Sequence, residues 1–397
     1  MEIFGGNWGS NGVNPFRFGL VGLGGYAGSL CDVLESRFEL AAVCEPDQPT
    51  HAAKIERLRS RGTAYFSDFD ELLNSDIDGV VLPLPIDLHR PYTERACAAG
   101  KHVLCEKPAA GSVEDLDAMI AARDRAGVKV AIGFQHIYDD LSIQQKREIL
   151  RGTRPTHASV LACWPRDSAY YARNAWAGKL RRNGTWVLDS PANNALAHYI
   201  NLALFLLGPD ERTSAQPVSV EAELYRVNSI ENYDTCSMRV RTDSDAELMI
   251  YLTHACSNTV DPQMAFSAEG LPIHLLHREA TGPDLRIAMF EKFANWVQGN
   301  DEIIATPEMA RSHLVVVNGA SQCTTVHEVS HEFRRIVQRE NSTITTIADI
   351  ESTIQTCDER RVLLSEAHVP WARAGGSIDV RDYHRFHPFT LSDERGN

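Results

Sequence analysis

From Arg17 onward, short apolar runs alternate with amphipathic stretches: FGLVGLG, then YAGSLCDVLESR, LAAVCEPD, a helical pattern near His51 to Arg61, and DGVVLPLP. The alternation continues through a helix near Pro91 to Ala99, HVLCEKP, a helix near Val113 to Ala126, and VKVAIGFQ. Five or six apolar runs separated by helices predict βαβ units and a parallel sheet buried on both faces, because crossover helices cover both sides of such a sheet. After about residue 140 the texture changes. A helix near Leu141 to Leu150 leads to the aromatic segment CWPRDSAYYARNAWAG, then to an apolar helix near Asn193 to Leu207 that stops at Gly208. The runs VSVEAELYRV, TCSMRVRT and AELMIYLTH have the period-two alternation of antiparallel strands with one solvated face. Helices near Leu285 to Gln298 and Pro307 to Ser321 follow, and the tail after Trp371 reads as an extended arm. The pattern divides the chain into residues 1–140 and an α+β domain of residues 141–397.

With 397 residues, 43% of them hydrophobic, the chain can bury the cores of two such domains. No apolar run approaches the roughly 18 residues of a membrane span, and MEIFGGNWGSNGVNPF lacks the basic and apolar regions of a signal peptide, so a cytoplasmic protein is expected. The nine cysteines form no CxxC pair, and several sit in apolar runs such as AAVC and HVLC, as buried thiols do. A formal charge of −14 argues against a nucleic-acid partner and for a small molecule. The histidines lack HExxH or paired Cys/His spacing, and HEVSH near His327 has too short an interval for a zinc helix, so no metal is expected.

In FGLVGLGGYAG the glycines at 22, 24 and 28 follow a strand and open a helix. Gly22 permits the tight turn, Gly24 lets backbone approach a pyrophosphate, and Ala27 and Gly28 allow close helix packing, with Gly25 and Tyr26 inside the same turn. The helix N-terminus offers amides and a favourable dipole to phosphates. Glu45 follows about 20 residues beyond the turn, where a carboxylate accepts from adenosine ribose hydroxyls and repels a 2′-phosphate, which favours NAD over NADP; capping the next turn is its alternative role.

The combination GLGGYAG, VCEPD, VVLPLPIDLH, AGKHVLCEKP and TPEMAR resembles the Gfo/Idh/MocA family, the glucose-fructose oxidoreductase and inositol dehydrogenase group, from about Phe18 to about Gln322. The resemblance implies an N-terminal Rossmann domain binding NAD(P) and a C-terminal domain whose open, mostly antiparallel sheet backs the substrate and often mediates oligomers, here a homodimer or tetramer. It implies that Glu106 binds the nicotinamide ribose, that Lys107 lies beside the nicotinamide and the reacting carbinol, and that Pro85, His89 and Gln135 border the cofactor. From the residues alone, Lys107 is equally a surface lysine paired with Glu106.

The segment YYARNAWAGKLRRNGTWVLDSPANNALAHYINLALFLLG resembles the family's continuation, with His198 matching its catalytic histidine. Two positions depart from it: Asn194 stands where several dehydrogenases carry Asp, and Asn201 replaces a second carboxylate. Asp189 reaches the site only if the turn SPANN folds back. Neutral Asn194 can orient His198 or bind a sugar hydroxyl, as can Asn193, but neither stabilises an imidazolium as a carboxylate does. His198 suits the proton leaving an oxidised secondary alcohol, and Lys107 polarises its oxygen; a satisfied histidine on a buried helix is the competing reading. Trp164, Tyr171 and Trp176, beside Tyr170, suit the C–H faces and hydroxyls of a sugar, or else core packing.

Between Arg151 and Arg182 lie Arg151, Arg154, Arg166, Arg173, Lys179, Arg181 and Arg182 against one acid, Asp167. Arg166 and Arg173 are candidates for an anionic group on the substrate, and a solvated or interface face is the bland reading. Three functions remain: an NAD-dependent oxidoreductase on a sugar or sugar derivative, an NAD-dependent glycoside hydrolase that oxidises C3 transiently with Tyr171, Asp189 or His198 as base, and a cofactor-binding sensor. Lys107 and His198 together argue against the sensor.

Overall fold

In the computed structural model the described residues are 15–275 and 284–389; the amino-terminal stretch read for a leader and residues 390–397 of the expected arm lie outside them. Strands Arg17–Val21, Glu39–Cys44, Ala64–Phe66, Gly79–Leu82, His102–Cys105 and Val130–Ile132 form a six-stranded sheet in the order third, second, first, fourth, fifth, sixth. Every pairing is parallel. This is the Rossmann topology, and its order reverses beside the first strand, so a crevice opens at the carboxyl ends of the strands. Those ends carry the glycine turn, Glu45, Pro85, Glu106 and Gly133.

The second domain is built on an eight-stranded mixed sheet. His157–Cys163 lies parallel to Glu247–Thr253 on one side and antiparallel to Val260–Ala268 on the other, and Thr235–Thr242 and Pro217–Arg226 continue antiparallel. One face, through Cys236, Met238, Val240, Leu248 and Ile250, packs with helices Ala197–Leu207 and Pro307–Cys323 in the main core. The expected solvated face is not solvated. Leu161, Tyr225, Met249 and Tyr251 are buried against Ile350, Ile354 and Cys357 of helix Ile350–Arg360 and against Trp371. The alternation looked solvent-facing because that face carries polar groups, but they satisfy one another. Glu223 accepts from Tyr225 Oη at 3.0 Å, from Ser237 Oγ at 3.0 Å and from the Ser365 amide, and Tyr251 Oη donates to the Val362 carbonyl at 2.9 Å.

Three local expectations also shift. The helix placed at Pro91 begins at Ile86 and carries Pro91 inside it. The helix placed at Asn193 begins at Ala197, because Asn193 bonds locally: its amide group donates to Val187 O at 3.0 Å and its N–H reaches Ser190 Oγ, a pattern that competes with helix. The tail is extended but docked, with Gly376–Asp379 pairing antiparallel to Ser219–Ala222, and Tyr383 and Phe386 entering the core.

Among the elements that join the domains, two bear on the site. Helix Pro307–Cys323, capped by Thr306 and begun by Pro307, lies along helix Val113–Ala126 through Arg311–Asp117 at 2.7 Å and Arg123–Glu308 at 2.6 Å. The hairpin Arg181–Arg182/Thr185–Trp186 reaches back to the first domain, where Arg182 pairs at 2.8 Å with Asp87, whose side chain is 2% exposed. Beneath it Gly111 is hemmed in: a Cβ there would stand 1.9 Å from the Trp186 carbonyl oxygen, a backbone atom that no rotamer can move. Gly111→Ala is therefore expected to destabilise the protein by about 3 kcal/mol, seen as a lower urea midpoint at unchanged slope. A loss under about 1 kcal/mol would show that the hairpin docks loosely.

Candidate active site

The glycine turn has the backbone its sequence requires. Gly22 sits at φ +90° and donates to Cys44 O at 2.8 Å, and a Cβ at Gly28 would stand 2.8 Å from Leu23 O. Helix Gly25–Arg37 starts on Gly24 with no side-chain cap and no acidic residue in its first turn, so its leading amides are left for an anion. Ala27 is buried behind Gly22, while Gly25 and Tyr26 are exposed at the mouth. Glu45 makes the turn contacts of its alternative role: its carboxylate ties the turn to the second strand, accepting from Leu23 N at 2.8 Å and Asp47 N at 2.9 Å. His51, 3.8 Å from Glu45, closes the other side of the turn.

Pro85 is the N-cap of helix Ile86–Ala98. His89 does not face the crevice as expected: its Nδ1 lies 2.9 Å from Pro108 O and its Nε2 2.8 Å from Leu84 O, so the buried ring braces two loops rather than contacting a cofactor. Gln135 opens the short turn Gln135–Tyr138 and is half-buried at the cleft.

Glu106 ends the fifth strand only 4% exposed. Its Oε2 accepts from the Lys107 amide at 3.1 Å, its Oε1 has no partner, and Gly133 lies so close that a Cβ would meet the carboxyl at 2.7 Å. Burial pushes the carboxyl up to about 7, against the pull of Lys107. Although the Tyr26 ring is half exposed at the mouth, its phenol is raised by desolvation and next by the charge of Glu106, which its hydroxyl faces. A buried acceptor without a donor fits the paired hydroxyls of a ribose.

Lys107 then crosses between the domains. Its Nζ donates to the Asn194 backbone oxygen at 2.8 Å and lies 3.5 Å from Asn194 Oδ1. Asn194 Nδ2 in turn donates to Asp189 Oδ1 at 2.7 Å, and Asp189 Oδ2 accepts from the Gly178 amide at 2.6 Å. The turn SPANN does fold back. Asp189, 3% exposed, stands behind Asn194 rather than on the substrate, and the missing carboxylate at position 194 is supplied one layer deeper. Burial lowers the Lys107 ammonium against the raising effect of Glu106 and Asp189, and raises the Asp189 carboxyl.

His198 faces this group with its Nδ1 buried and unpartnered. Burial, followed by the charge of Lys107, holds the ring well below its usual pKa, so it is neutral near pH 7. The rings of His136 and Phe134 stand 5.2 and 5.9 Å away, and His313 is bonded to Ala192 O at 2.9 Å. These neighbours come from two segments distant from His198 in sequence, Phe134 and His136 at the turn Gln135–Tyr138 and His313 on helix Pro307–Cys323, and no motif announced them. Asn201 is fully buried one turn further with both side-chain polar atoms unpartnered. Asn193, expected to touch substrate, is fully buried with its amide on Val187 O and instead shapes the turn.

On the far wall, Tyr171 has a buried hydroxyl without a partner, and burial with the nearby charge of Asp234 raises it. Trp164 packs edge-on to Tyr199 at 6.4 Å, Trp176 is half-buried, and Arg166 and Arg173 lie on the Tyr170 ring at 4.6 and 3.4 Å. The basic segment therefore divides. Arg151 ends helix Asp140–Arg151, Arg154 binds the Gly208 and Pro209 carbonyls, Arg181 stacks on Trp186, and Lys179 and Arg182 pair with Glu231 and Asp87. His254, absent from the sequence reading, is 3% exposed behind Trp164, its Nδ1 on Trp164 O at 2.8 Å, and burial followed by the charge of Arg166 lowers it to about 3. No three His, Cys, Asp or Glu among the described residues are grouped to hold a metal, and no described helix is long and apolar enough to cross a membrane.

Residues 16–134 match the family model described as an oxidoreductase family with an NAD-binding Rossmann fold. The chain is 32% identical over 134 residues to dTDP-3,4-didehydro-2,6-dideoxy-alpha-D-glucose 3-reductase of Streptomyces violaceoruber, covering 32% of this chain and 37% of that one. It is 27% identical over 187 residues to 2,7-anhydro-N-acetylneuraminate hydratase of Escherichia coli, covering 47% of each. The matches thus span about a third to a half of these relatives' lengths. The WlbA dehydrogenase of Bordetella pertussis, solved with NADH and UDP-GlcNAcA, superposes with TM-score 0.64 at 22% identity over 77% of this chain and 94% of that one, which shows the shared two-domain fold.

Glu106 gives this site a measurable signature. Ionised, its carboxylate would have acceptor sites for two ribose hydroxyls, and protonated it would lose part of that capacity. Because its carboxyl sits near 7, NAD affinity measured by titration calorimetry is expected to weaken as pH falls through 7, and Glu106→Gln to bind NAD at least about tenfold more weakly with that pH dependence gone. A pH-dependent affinity surviving in Glu106→Gln would assign the titration elsewhere.

Proposed function

Since residues 16–134 make this chain a member of the Gfo/Idh/MocA oxidoreductase family, we propose that it is an NAD-dependent oxidoreductase acting on a secondary alcohol of a sugar or sugar derivative. The observation that carries the reading is a buried ammonium set against a neutral histidine: Lys107 anchored on Asn194, and His198 with an unpartnered ring nitrogen. When bound, NAD supplies the acceptor for the hydride that leaves the carbinol carbon. Lys107 donates to the carbinol oxygen and stabilises the negative charge that grows there as its proton departs. His198, kept neutral by burial, has the lone pair to take that proton. Asp189 is a positioning residue: it holds Asn194, and Asn194 holds Lys107. Glu45 at the end of the second strand favours NAD over NADP, since its charge repels a 2′-phosphate. Trp164, Tyr171 and Trp176 supply faces and a hydroxyl for the sugar. The carbohydrate derivatives in the relatives' names support that substrate class.

A second reading has one observation in its favour. The buried, unpartnered hydroxyl of Tyr171 is a candidate to hold a proton next to the oxidised carbon, as a redox-neutral elimination and hydration of a glycoside requires, and one relative is named a hydratase.

Incubation with NAD, free sugars and nitrophenyl glycosides, following reduced cofactor and released phenol separately, distinguishes the two. Stoichiometric NADH is expected, and phenol release without NADH would establish the glycosidase reading. Lys107→Ala is expected to lower turnover by about 10²–10⁴-fold while NAD still raises its Tm. Turnover near wild type in Lys107→Ala would exclude this mechanism.

A further inference from the structure

Arg166 and Arg173 have no ion pair among the described residues, in a chain of net charge −14, whereas Lys179 and Arg182 of the same segment have carboxylates within 3 Å. Each donates to a backbone carbonyl, Arg166 to Pro165 O at 3.3 Å and Arg173 to Tyr170 O at 3.4 Å, and what sets them apart from the equally unpaired Arg151, Arg154 and Arg181 is that both lie on the Tyr170 ring. Asp167, the one acid among them, is engaged elsewhere: its Oδ1 accepts from the Tyr170 amide at 2.8 Å and its Oδ2 from Ser342 Oγ at 2.7 Å. Both guanidinium groups rest on the Tyr170 ring, and the Nε of Arg166 is buried without an acceptor. An unsatisfied guanidinium donor buried at the edge of a cleft is costly unless something accepts from it.

Their field points into the site. Both arginines push His254 down, Arg173 pushes Lys107 down, and Arg173 steadies the Asp189 carboxylate. Three cations, Lys107, Arg166 and Arg173, thus act on neighbouring groups of one site, and of the three Lys107 alone has both Glu106 and Asp189 acting on it. The wall is also braced. Asp167 caps the short helix Ser168–Ala172 that carries Tyr170 and Tyr171, and the turn of the hairpin Arg334–Gln338/Thr343–Ile347 holds that cap, with the Thr343 amide donating to Ser168 Oγ at 3.1 Å.

We propose that Arg166 and Arg173, stacked on Tyr170, form an anion-binding wall of the substrate cleft that selects sugars bearing a carboxylate or phosphate over neutral sugars. The proposal deepens the oxidoreductase reading and rests on it for the position of the reacting carbon. Stacking fixes each planar fork so that little rotamer freedom remains to be lost when the oxyanion docks, and a fork matches two oxygens at once.

The test measures initial rates of NAD reduction with glucose, glucuronate and glucose 6-phosphate, and the Tm of the NAD-loaded protein with each, for wild type, Arg166→Gln and Arg173→Gln. One anionic sugar is expected to exceed glucose at least about tenfold in kcat/KM and to raise Tm where glucose does not, and each substitution to cut that ratio about tenfold. Preference for glucuronate identifies the ligand group as a carboxylate, and preference for glucose 6-phosphate as a phosphate. Equal treatment of all three sugars in both measurements, or an anion preference that survives both substitutions, overturns the wall. Arginine-dependent stabilisation by an anionic sugar without NAD reduction by any of them keeps the wall and removes the oxidoreductase reading.

Discussion

The Lys107 ammonium leaves the end of the fifth parallel strand and is anchored 2.8 Å away on the backbone oxygen of Asn194, in the other domain. An ammonium taken out of water costs on the order of several kcal/mol unless charge and hydrogen bonds compensate it. The compensation comes from both domains at once, Glu106 on the near side and Asp189 behind Asn194 on the far side. Everything that fixes the domains against each other therefore also fixes Lys107. Helix Pro307–Cys323 does this through Asn318, which bonds Gly111 O and Val113 N and so holds the loop that follows Pro108. The Arg182–Asp87 pair does it from above.

That dependence explains what could be read from the chain. The glycine turn, Glu45 and Glu106 are local signals: each follows its strand directly, and the parallel order places all of them at one edge. Lys107 and His198 were legible through a family pattern, but their meeting point was not. From sequence Asp189 is only a candidate, because its position depends on how residues 190–196 turn, and that turn is set by Asn193 bonding to Val187, a choice invisible to periodicity. His89 matched a pattern position yet turned inward, since Leu84 and Pro108 offer carbonyls on both sides of its ring. The covered sheet face misled for a related reason. Period-two polarity normally marks solvent, but Glu223, Ser237 and Tyr225 bond among themselves under residues 350–371.

The neutral histidines complete the electrostatic design. His198, His313 and His254 are all depressed by burial, and the nearby cations depress each further. A cleft that charged its histidines would repel the Lys107 ammonium. Keeping them neutral confines positive charge to Lys107 and the arginines, and leaves His198 with an open lone pair at the same pH. In the proposed mechanism, polarising the alcohol oxygen and accepting its proton would thus fall to different residues, which one partly protonated histidine could not do in a single state.

The same logic reaches the outer wall. His254 donates from Nδ1 to the Trp164 carbonyl, so its neutral form carries the proton there and leaves Nε2 as an acceptor. Charging it beside Arg166 and Arg173 would add a third cation to a wall that has no paired carboxylate among the described residues, and its depression to about 3 prevents that across the physiological range. The two guanidinium groups are then held on the Tyr170 ring at 4.6 and 3.4 Å, with Asp167 on the same wall engaged by the Tyr170 amide and Ser342. On the proposed reading, a ligand reaching from Lys107 to these forks would be selected by where its negative charge sits as well as by whether it is present.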